Sequence, residues 1–114
     1  MLAKKFRLTG REEFARVQKE GKVYQSSNFG ISIVKRNDKN PSRFAFIVST
    51  KIAKDAVDRN RFKRAMSESV RTSSIDLNPG FDAVFLAKTS ITRVPTSEVM
   101  KEVRLSLKDC GLSK

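Results

Sequence analysis

The sequence of 114 residues contains no histidine, no tryptophan and one cysteine. Without histidine there is no Ser-His-Asp triad, no imidazole metal site and no side chain whose unperturbed pKa lies near neutral pH. The single cysteine, Cys110, allows neither an internal disulfide nor a Cys-based zinc site, and its position on an apolar helix face predicts a packed thiol. The apolar runs are too short to span a bilayer, and no signal peptide is expected at the N-terminus. These absences favour a protein of a reducing compartment, the cytoplasm, and exclude catalytic triads and imidazole metal sites.

Positive charge is in large excess. Lys and Arg number 24 and Asp and Glu number 12, which gives a net charge of +12. Leu, Ile, Val and Phe supply 31 of the 114 residues, about 27%, whereas highly charged chains with less than roughly 20% tend to stay disordered. We therefore predict a single folded domain over residues 1–114 with a polyanionic partner, and neither a membrane nor a small-molecule substrate.

The charge is unevenly distributed along the chain. Residues 1–74 carry a net charge of +11, and residues 75–114 carry only +1. This segregation predicts a basic face that meets phosphates and a nearly neutral remainder that mainly packs. The alternative is an ordinary basic surface without a specific partner.

Three helices are predicted from capping signals and periodicity. The spacing of Thr9–Glu12 is typical of a capping box, followed by a helix over Gly10–Glu20. A helical period over Ala56–Thr72 predicts a second amphipathic helix. Ser97 is the predicted N-cap of a third helix, which ends at Gly111.

Strands are predicted between these helices. Alternation over Val23–Val34 predicts one half-covered strand, and the apolar run Phe44–Val48 predicts a central strand, Arg43–Ser49, buried on both faces. A third strand is predicted over Phe81–Ala87, after a tight turn. The order of elements favours an α/β sandwich with a βαβ crossover around the second helix.

The most informative segment is Lys51–Arg64, which has six cations and two acids where a strand passes into a helix. Four polar residues of that helix fall within an arc of about 100°, with Arg61 at its edge: Asn60, Lys63, Arg64 and Arg71. Such a row can place several guanidinium groups on a nucleic-acid backbone at once. A solvated helix face is the alternative, but the excess has one sign and lacks most of the Glu–Lys pairing of such faces.

The sequence Ala-Val-Asp-Arg-Asn-Arg-Phe-Lys-Arg at Ala56–Arg64 resembles the Arg-Asn-Arg signature of the protein subunit of bacterial ribonuclease P. The resemblance covers nearly the whole chain. It includes the opening pattern of Arg7-Leu8, Glu13-Phe14, Val17 and Gly21, and the strand Phe44–Ser49 that leads into Lys51.

The resemblance implies an α+β fold, an α/β sandwich with a central sheet of about four strands, three helices and a left-handed crossover at the motif helix, an exception to the usual rule. It further implies a subunit of an endoribonuclease that removes 5′ leaders from precursor tRNA. The RNA subunit, with Mg²⁺, would be the catalyst. The protein would hold no catalytic residue or metal ligand, and would bind ribonuclease P RNA and the leader while promoting functional Mg²⁺ binding.

Two sets of residues follow from the resemblance. The residues expected to face the catalytic RNA are Lys51, Lys54, Arg59, Asn60, Arg61, Lys63, Arg64 and Arg71. Those expected to line the leader cleft are Phe14, Val17, Gln18 and Ser32. Gln18 and Ser32 stand where relatives often have aromatic side chains. Because stacking is worth roughly 1–3 kcal/mol per base, we expect a weaker grip on the leader or more backbone contacts. Phe14 also has an alternative role in core packing.

Two other functions remain to be compared. A nuclease independent of RNA could use Asp55 and Asp58 as Mg²⁺ ligands, but two carboxylates among six cations make a poor metal site. A ribosomal or other structured-RNA-binding protein without a role in tRNA processing has the same charge pattern. The apolar strands argue against a helix-turn-helix DNA-binding protein.

Overall fold

The computed structural model describes residues 2–114, which form one four-stranded mixed sheet with helices on both faces. The strands are β1 (Lys22–Gln25), β2 (Phe29–Lys35), β3 (Arg43–Ile47) and β4 (Phe81–Ala87). The α-helices are α1 (Arg11–Glu20), α2 (Ala56–Thr72) and α3 (Thr96–Asp109). The sheet order is β1-β2-β4-β3, and only the β3–β4 pair is parallel. The predicted α+β sandwich is therefore confirmed, with α2 as the connection between two parallel strands.

The larger core lies between the sheet and helices α2 and α3. Phe85 of β4 is at its centre, and its ring centroid lies 5.5 Å from that of Phe29 and 5.1 Å from that of Phe46. Phe62 and Met66 of α2 pack into the same cluster with almost no exposed surface. Each side chain of this size contributes about 1.5–3 kcal/mol on burial, so this cluster fixes the orientation of α2.

A smaller core lies between α1 and the opposite face of the sheet. It is formed by Leu8, Val17, Ala45 and Val84, with Phe14 packed at its margin. Since alternate residues of a strand point to opposite faces, β4 contributes Val84 here and the neighbouring Phe85 to the larger core.

The predicted strand Val23–Val34 is wrong as a single element, because the chain turns between β1 and β2. Glu102 of α3 holds this turn: its carboxylate accepts from the Asn28 N–H at 2.9 Å, from the Asn28 side-chain amide at 2.6 Å and from the Ser26 hydroxyl. The run of small polar residues from Ser26 to Asn28 is the sequence signal for a turn. A distant carboxylate then fixes its geometry.

The prediction of a central position for Phe44–Val48 is also wrong. Strand β3 is at the edge of the sheet, and β4 occupies the centre. Phe44 is nevertheless buried, because the N-terminal segment covers part of this edge and the Leu8 N–H donates to the Phe44 carbonyl at 2.9 Å. Coverage by a neighbouring segment thus produces the same apolar pattern as a central strand.

The helix bounds are predicted better than the caps. Helix α2 has the predicted bounds, and β4 coincides with the predicted strand. The capping box is absent, since α1 follows Gly10 at φ 98° with no side-chain cap, and Ser97 lies inside α3, which follows Pro95. At the other end of α3 the chain leaves through Gly111 at φ 85°, which suits glycine.

Cys110 is half-buried in the larger core, and burial raises the pKa of its thiol, as expected for a packed side chain.

Across residues 2–114, none of the helices combines the length and the apolar character that a membrane crossing requires.

Candidate nucleic-acid interface

Helix α2 separates apolar and basic side chains onto opposite faces. Phe62, Ala65, Met66 and Val70 are buried against the sheet and α3. The 3.6-residue period then directs the basic side chains of the Arg59–Arg64 segment outward or to the margins of the helix. The core of the protein thereby sets the direction in which the cations point.

Arg61 and Arg64 are the exposed arginines of this surface. The Arg61 side chain is 56% exposed and lies 3.6 Å from the Asp58 carboxylate, a distance too long for a strong ion pair. Arg64 is exposed, and within residues 2–114 it makes no ion pair. Asn60 is exposed one turn before Arg64. This part of α2 can therefore offer guanidinium and amide donors to phosphates and ribose hydroxyls.

Two exposed lysines, Lys51 and Lys54, extend the basic surface into the loop before α2. Arg59 holds that loop in place, since its guanidinium donates to the carbonyls of Ala53 at 3.0 Å and Lys54 at 2.6 Å. Arg59 is thus engaged within the protein, and it positions the loop lysines relative to the helix.

Arg71, at the far end of α2, is also engaged. Its guanidinium donates to the Glu68 carboxylate at 2.8 and 3.0 Å, and these hydrogen bonds are the largest cause of a Glu68 pKa of about 2. Lys63 lies at the opposite margin of the helix, half-buried beside a small cavity that Phe14 and Phe46 also line. The eight predicted RNA-facing residues therefore differ in availability, and the freest cations lie between Lys51 and Arg64.

The predicted leader residues divide in the same way. Val17 is fully buried and Ser32 is 1% exposed, so neither side chain lies at the surface, and their contact with the leader stays a prediction. Phe14 is half-buried and Gln18 is exposed, which leaves both accessible. Val23, which sequence reasoning missed, is 55% exposed and lies opposite Ser32 in the sheet register, on the α1 side.

Sequence reasoning also missed a buried carboxylate at the start of β4. Asp82 has no exposed surface, and three arginines donate to it, one from α1, one from the loop after β2 and one from β3. The shortest distances to its oxygens are 2.6 Å from Arg16, 2.8 Å from Arg36 and 2.9 Å from Arg43. Burial alone would raise the pKa of Asp82, but hydrogen bonds from Arg43 and Arg16 outweigh it and the pKa is lowered. An acidic residue at the start of an apolar strand is the sequence signal.

This cluster shows that some of the arginines counted in the net charge are paired with carboxylates inside the protein. Arg16 also bonds Glu13 at 2.6 Å, and Arg36 lies 3.2 Å from Asp38. Three arginines of the basic part of the chain are thus matched by three carboxylates. These three arginines are therefore engaged within the protein, although the sequence count includes them among its cations.

The carboxylates do not form a metal-binding group in the part of the chain that is described. No three His, Cys, Asp or Glu side chains of residues 2–114 are placed to hold a metal ion together. Asp58, a proposed ligand in the nuclease alternative, instead lies next to Arg61.

Comparisons with known proteins identify a family and several similar proteins. The sequence pattern of the family described as Ribonuclease P covers residues 2–111. The ribonuclease P protein component of Dehalococcoides mccartyi is 39% identical over 100 residues, 86% of this chain and 78% of that protein. That of Clostridium kluyveri is 35% identical, over 96% of this chain and 97% of that protein.

Solved structures agree in fold. The RNase P protein of Staphylococcus aureus superposes with a TM-score of 0.87 at 21% identity, covering 96% of this chain and 98% of that one. The RNase P protein of Thermotoga maritima gives a TM-score of 0.79 at 29% identity, over 90% and 96%. With the motif on the exposed face of α2, the chain belongs to the bacterial ribonuclease P protein family.

Proposed function

We propose that this protein, as the non-catalytic protein subunit of the ribonucleoprotein endoribonuclease ribonuclease P, docks on the RNA subunit through the exposed part of the Lys51–Arg64 segment. The observation that carries the proposal is the exposure of Arg61 and Arg64 on a helix whose other face is locked into the core. Structured RNA is recognised largely through phosphates and 2′-hydroxyls, which these donors suit.

Docking of this kind works through electrostatics and position. Each contact between a cation and a phosphate releases condensed counterions, so affinity falls as salt rises. Arg59 fastens the loop that carries Lys51 and Lys54, and this reduces the entropy lost when these lysines meet the RNA. The protein therefore presents a partly preorganised row of cations.

The precursor tRNA is the proposed substrate of the holoenzyme, and its 5′ leader would lie along the α1 side of the sheet. Phe14, Gln18 and Val23 supply accessible side chains there, while Val17 and Ser32 form the packed layer beneath. A single aromatic residue offers one stacking platform, worth roughly 1–3 kcal/mol. We therefore expect the leader to be held mainly through its backbone.

Mg²⁺ would supply metal-ion catalysis within the RNA subunit and its substrate. No group of side chains in residues 2–114 fits the ion, so the contribution of this chain is indirect. Its cations lower the repulsion between phosphates that the RNA must bring together, which lets the RNA bind Mg²⁺ at a lower concentration. The proposed localisation of the protein is the cytoplasm.

Cleavage of a precursor tRNA distinguishes this function from its alternatives. The three reactions contain the protein alone, ribonuclease P RNA alone at low Mg²⁺, and both together. We expect cleavage only in the third. Cleavage by the protein alone would support a nuclease, and equal rates with and without the protein would support a structured-RNA-binding protein outside tRNA processing.

Single substitutions test the docking surface. Arg61→Gln and Arg64→Gln should each flatten the slope of log affinity against log salt by about 0.7–0.9 and slow cleavage at low Mg²⁺. Lys39→Gln is the matched control, because it removes one charge from an exposed position in the loop between β2 and β3. If both arginine variants keep the slope and the activity of the wild type, the docking assignment is wrong.

A further inference from the structure

Helix α3 carries a second row of cations. Lys101, Arg104 and Lys108 are exposed and follow one another at intervals of three and four residues. A rise of 1.5 Å per residue places them on one side of the helix over about 10 Å. The structure therefore corrects the prediction that residues 75–114 form a neutral remainder that mainly packs.

Of the three acids of α3, Glu98 is exposed one turn before Lys101, and the other two contact other elements. Glu102 is bound to the turn between β1 and β2, and Asp109 accepts from the Tyr24 hydroxyl at 3.3 Å. No ion pair joins the three α3 cations to a carboxylate within residues 2–114. Asp76 lines the same cavity as these three cations. The row is thus free to meet an external anion.

The α3 row borders the same groove as the α2 surface. The two helices pack together, and the Ser69 hydroxyl of α2 donates to the Met100 carbonyl of α3 at 2.6 Å. Two cavities follow this helix pair, and we refer to them together as the α2–α3 groove. Arg61, Arg64 and Glu68 line the first with residues of α3, and the α3 cations line the second with Thr72 and Ser73. Glu68 is bound to Arg71 of the same helix.

We propose that Lys101, Arg104 and Lys108 continue the RNA-docking surface along the α2–α3 groove and bind backbone phosphates of the RNA subunit. The proposal rests on the proposed function, since it extends the same interface beyond the Arg-Asn-Arg motif. The two lysines offer ammonium groups, and Arg104 offers a guanidinium group that can donate to two phosphate oxygens at once. The hydroxyls that line this end of the groove can form hydrogen bonds with phosphate or ribose oxygens. One acid against three cations leaves the site positive.

Binding of ribonuclease P RNA, measured against salt without precursor tRNA, tests this extension. The variant Lys101→Gln, Arg104→Gln, Lys108→Gln should bind more weakly, with a slope of log affinity against log salt flatter by about 2–3. The control Lys19→Gln, Lys22→Gln, Lys39→Gln removes the same charge from exposed positions on other elements and should keep the wild-type slope. Thermal unfolding of both variants confirms that each is folded.

The outcomes separate this inference from the proposed function. If the α3 variant binds like the control while Arg64→Gln weakens binding, the α3 row is not part of the interface and the proposed function stands. If Arg64→Gln also has no effect, the proposed function fails as well. If the α3 variant keeps its affinity for the RNA subunit but lowers holoenzyme affinity for precursor tRNA, the row serves the substrate and the assignment to the RNA subunit is overturned.

Discussion

Replacement of Asp82 by asparagine tests whether the buried carboxylate organises the α1 side of the sheet. Asn is close in size to Asp but has no charge, so the change removes the partner of Arg16, Arg36 and Arg43 with little change in volume. Loss of one member of a buried ion pair costs about 3–5 kcal/mol, because it leaves uncompensated charge behind. The side chains of Arg16 and Arg43 are 31% and 36% exposed and can regain water, so we expect the lower value, about 3 kcal/mol.

This loss is large for a domain of this size. Unfolding entropy of about 2.1 cal/mol/K per residue gives about 0.24 kcal/mol/K for 114 residues, so the expected loss lowers Tm by about 12 °C. Urea unfolding at pH 7, followed by circular dichroism, measures the free energy directly. Urea is preferred to guanidinium chloride, whose ions would screen the cluster.

The pH dependence supplies an independent test. The folded pKa of Asp82 is lowered, so its stabilisation is present above the unfolded pKa of about 3.9 and is lost as the pH falls towards the folded value. Protonated Asp82 resembles the asparagine of the variant. The difference between the wild type and Asp82→Asn should therefore be constant from pH 7 to pH 5 and should shrink below about pH 4.

Asp38→Asn is the matched control. It makes the same chemical change and gives the same net charge, but Asp38 is 37% exposed and meets only Arg36 in an ion pair. We expect it to cost less than about 1 kcal/mol. A difference below about 1 kcal/mol for Asp82→Asn at pH 7, or one that is unchanged at pH 3, would show that the charge of Asp82 does not stabilise the fold.

Three further predictions concern a turn, a hairpin and a thiol. Gly80→Ala should lower the free energy of unfolding in urea by about 3 kcal/mol, because φ is +88° and the added Cβ would lie 2.7 Å from the Asp38 carbonyl oxygen. Gly111→Ala, at φ +85° in open space, should cost only about 1 kcal/mol. Equal costs would contradict the steric argument. Glu102→Gln should cost about 1–2 kcal/mol and speed amide exchange in the turn between β1 and β2, and unchanged exchange would count against its anchoring role. Cys110 should react with a thiol reagent at pH 8 more slowly than free cysteine, because burial raises its pKa; a rate equal to that of free cysteine would show that the thiol is not packed.

The helix that carries the candidate site could be predicted from the sequence with its bounds and its two faces. Its apolar residues recur with the helical period and its cations fill the opposite side, so local pattern alone determines which side is buried. The motif Arg59–Arg64 also identifies the family before any coordinates are considered. The strand Phe81–Ala87 is predicted for a similar reason, as a short apolar run between turn signals.

The order of the strands could not be predicted, because an apolar run reports burial without reporting what causes it. Phe44 is buried at a sheet edge by the N-terminal segment, whereas Phe85 is buried in the centre by strands on both sides. The turn between β1 and β2 depends on Glu102, about 75 residues further along the chain. Contacts at that separation leave no periodic trace in the sequence.

Composition and helical period are enough to predict a small basic domain with a row of cations on one helix, because charge and period are local properties of the chain. Which of these cations are free depends on the fold. Folding brings Arg16, Arg36 and Arg43 onto Asp82 and turns Arg59 back onto its own loop, while it leaves Arg61 and Arg64 exposed. A charged side chain is available or already paired according to its neighbours in space, and those neighbours come from distant segments of the chain.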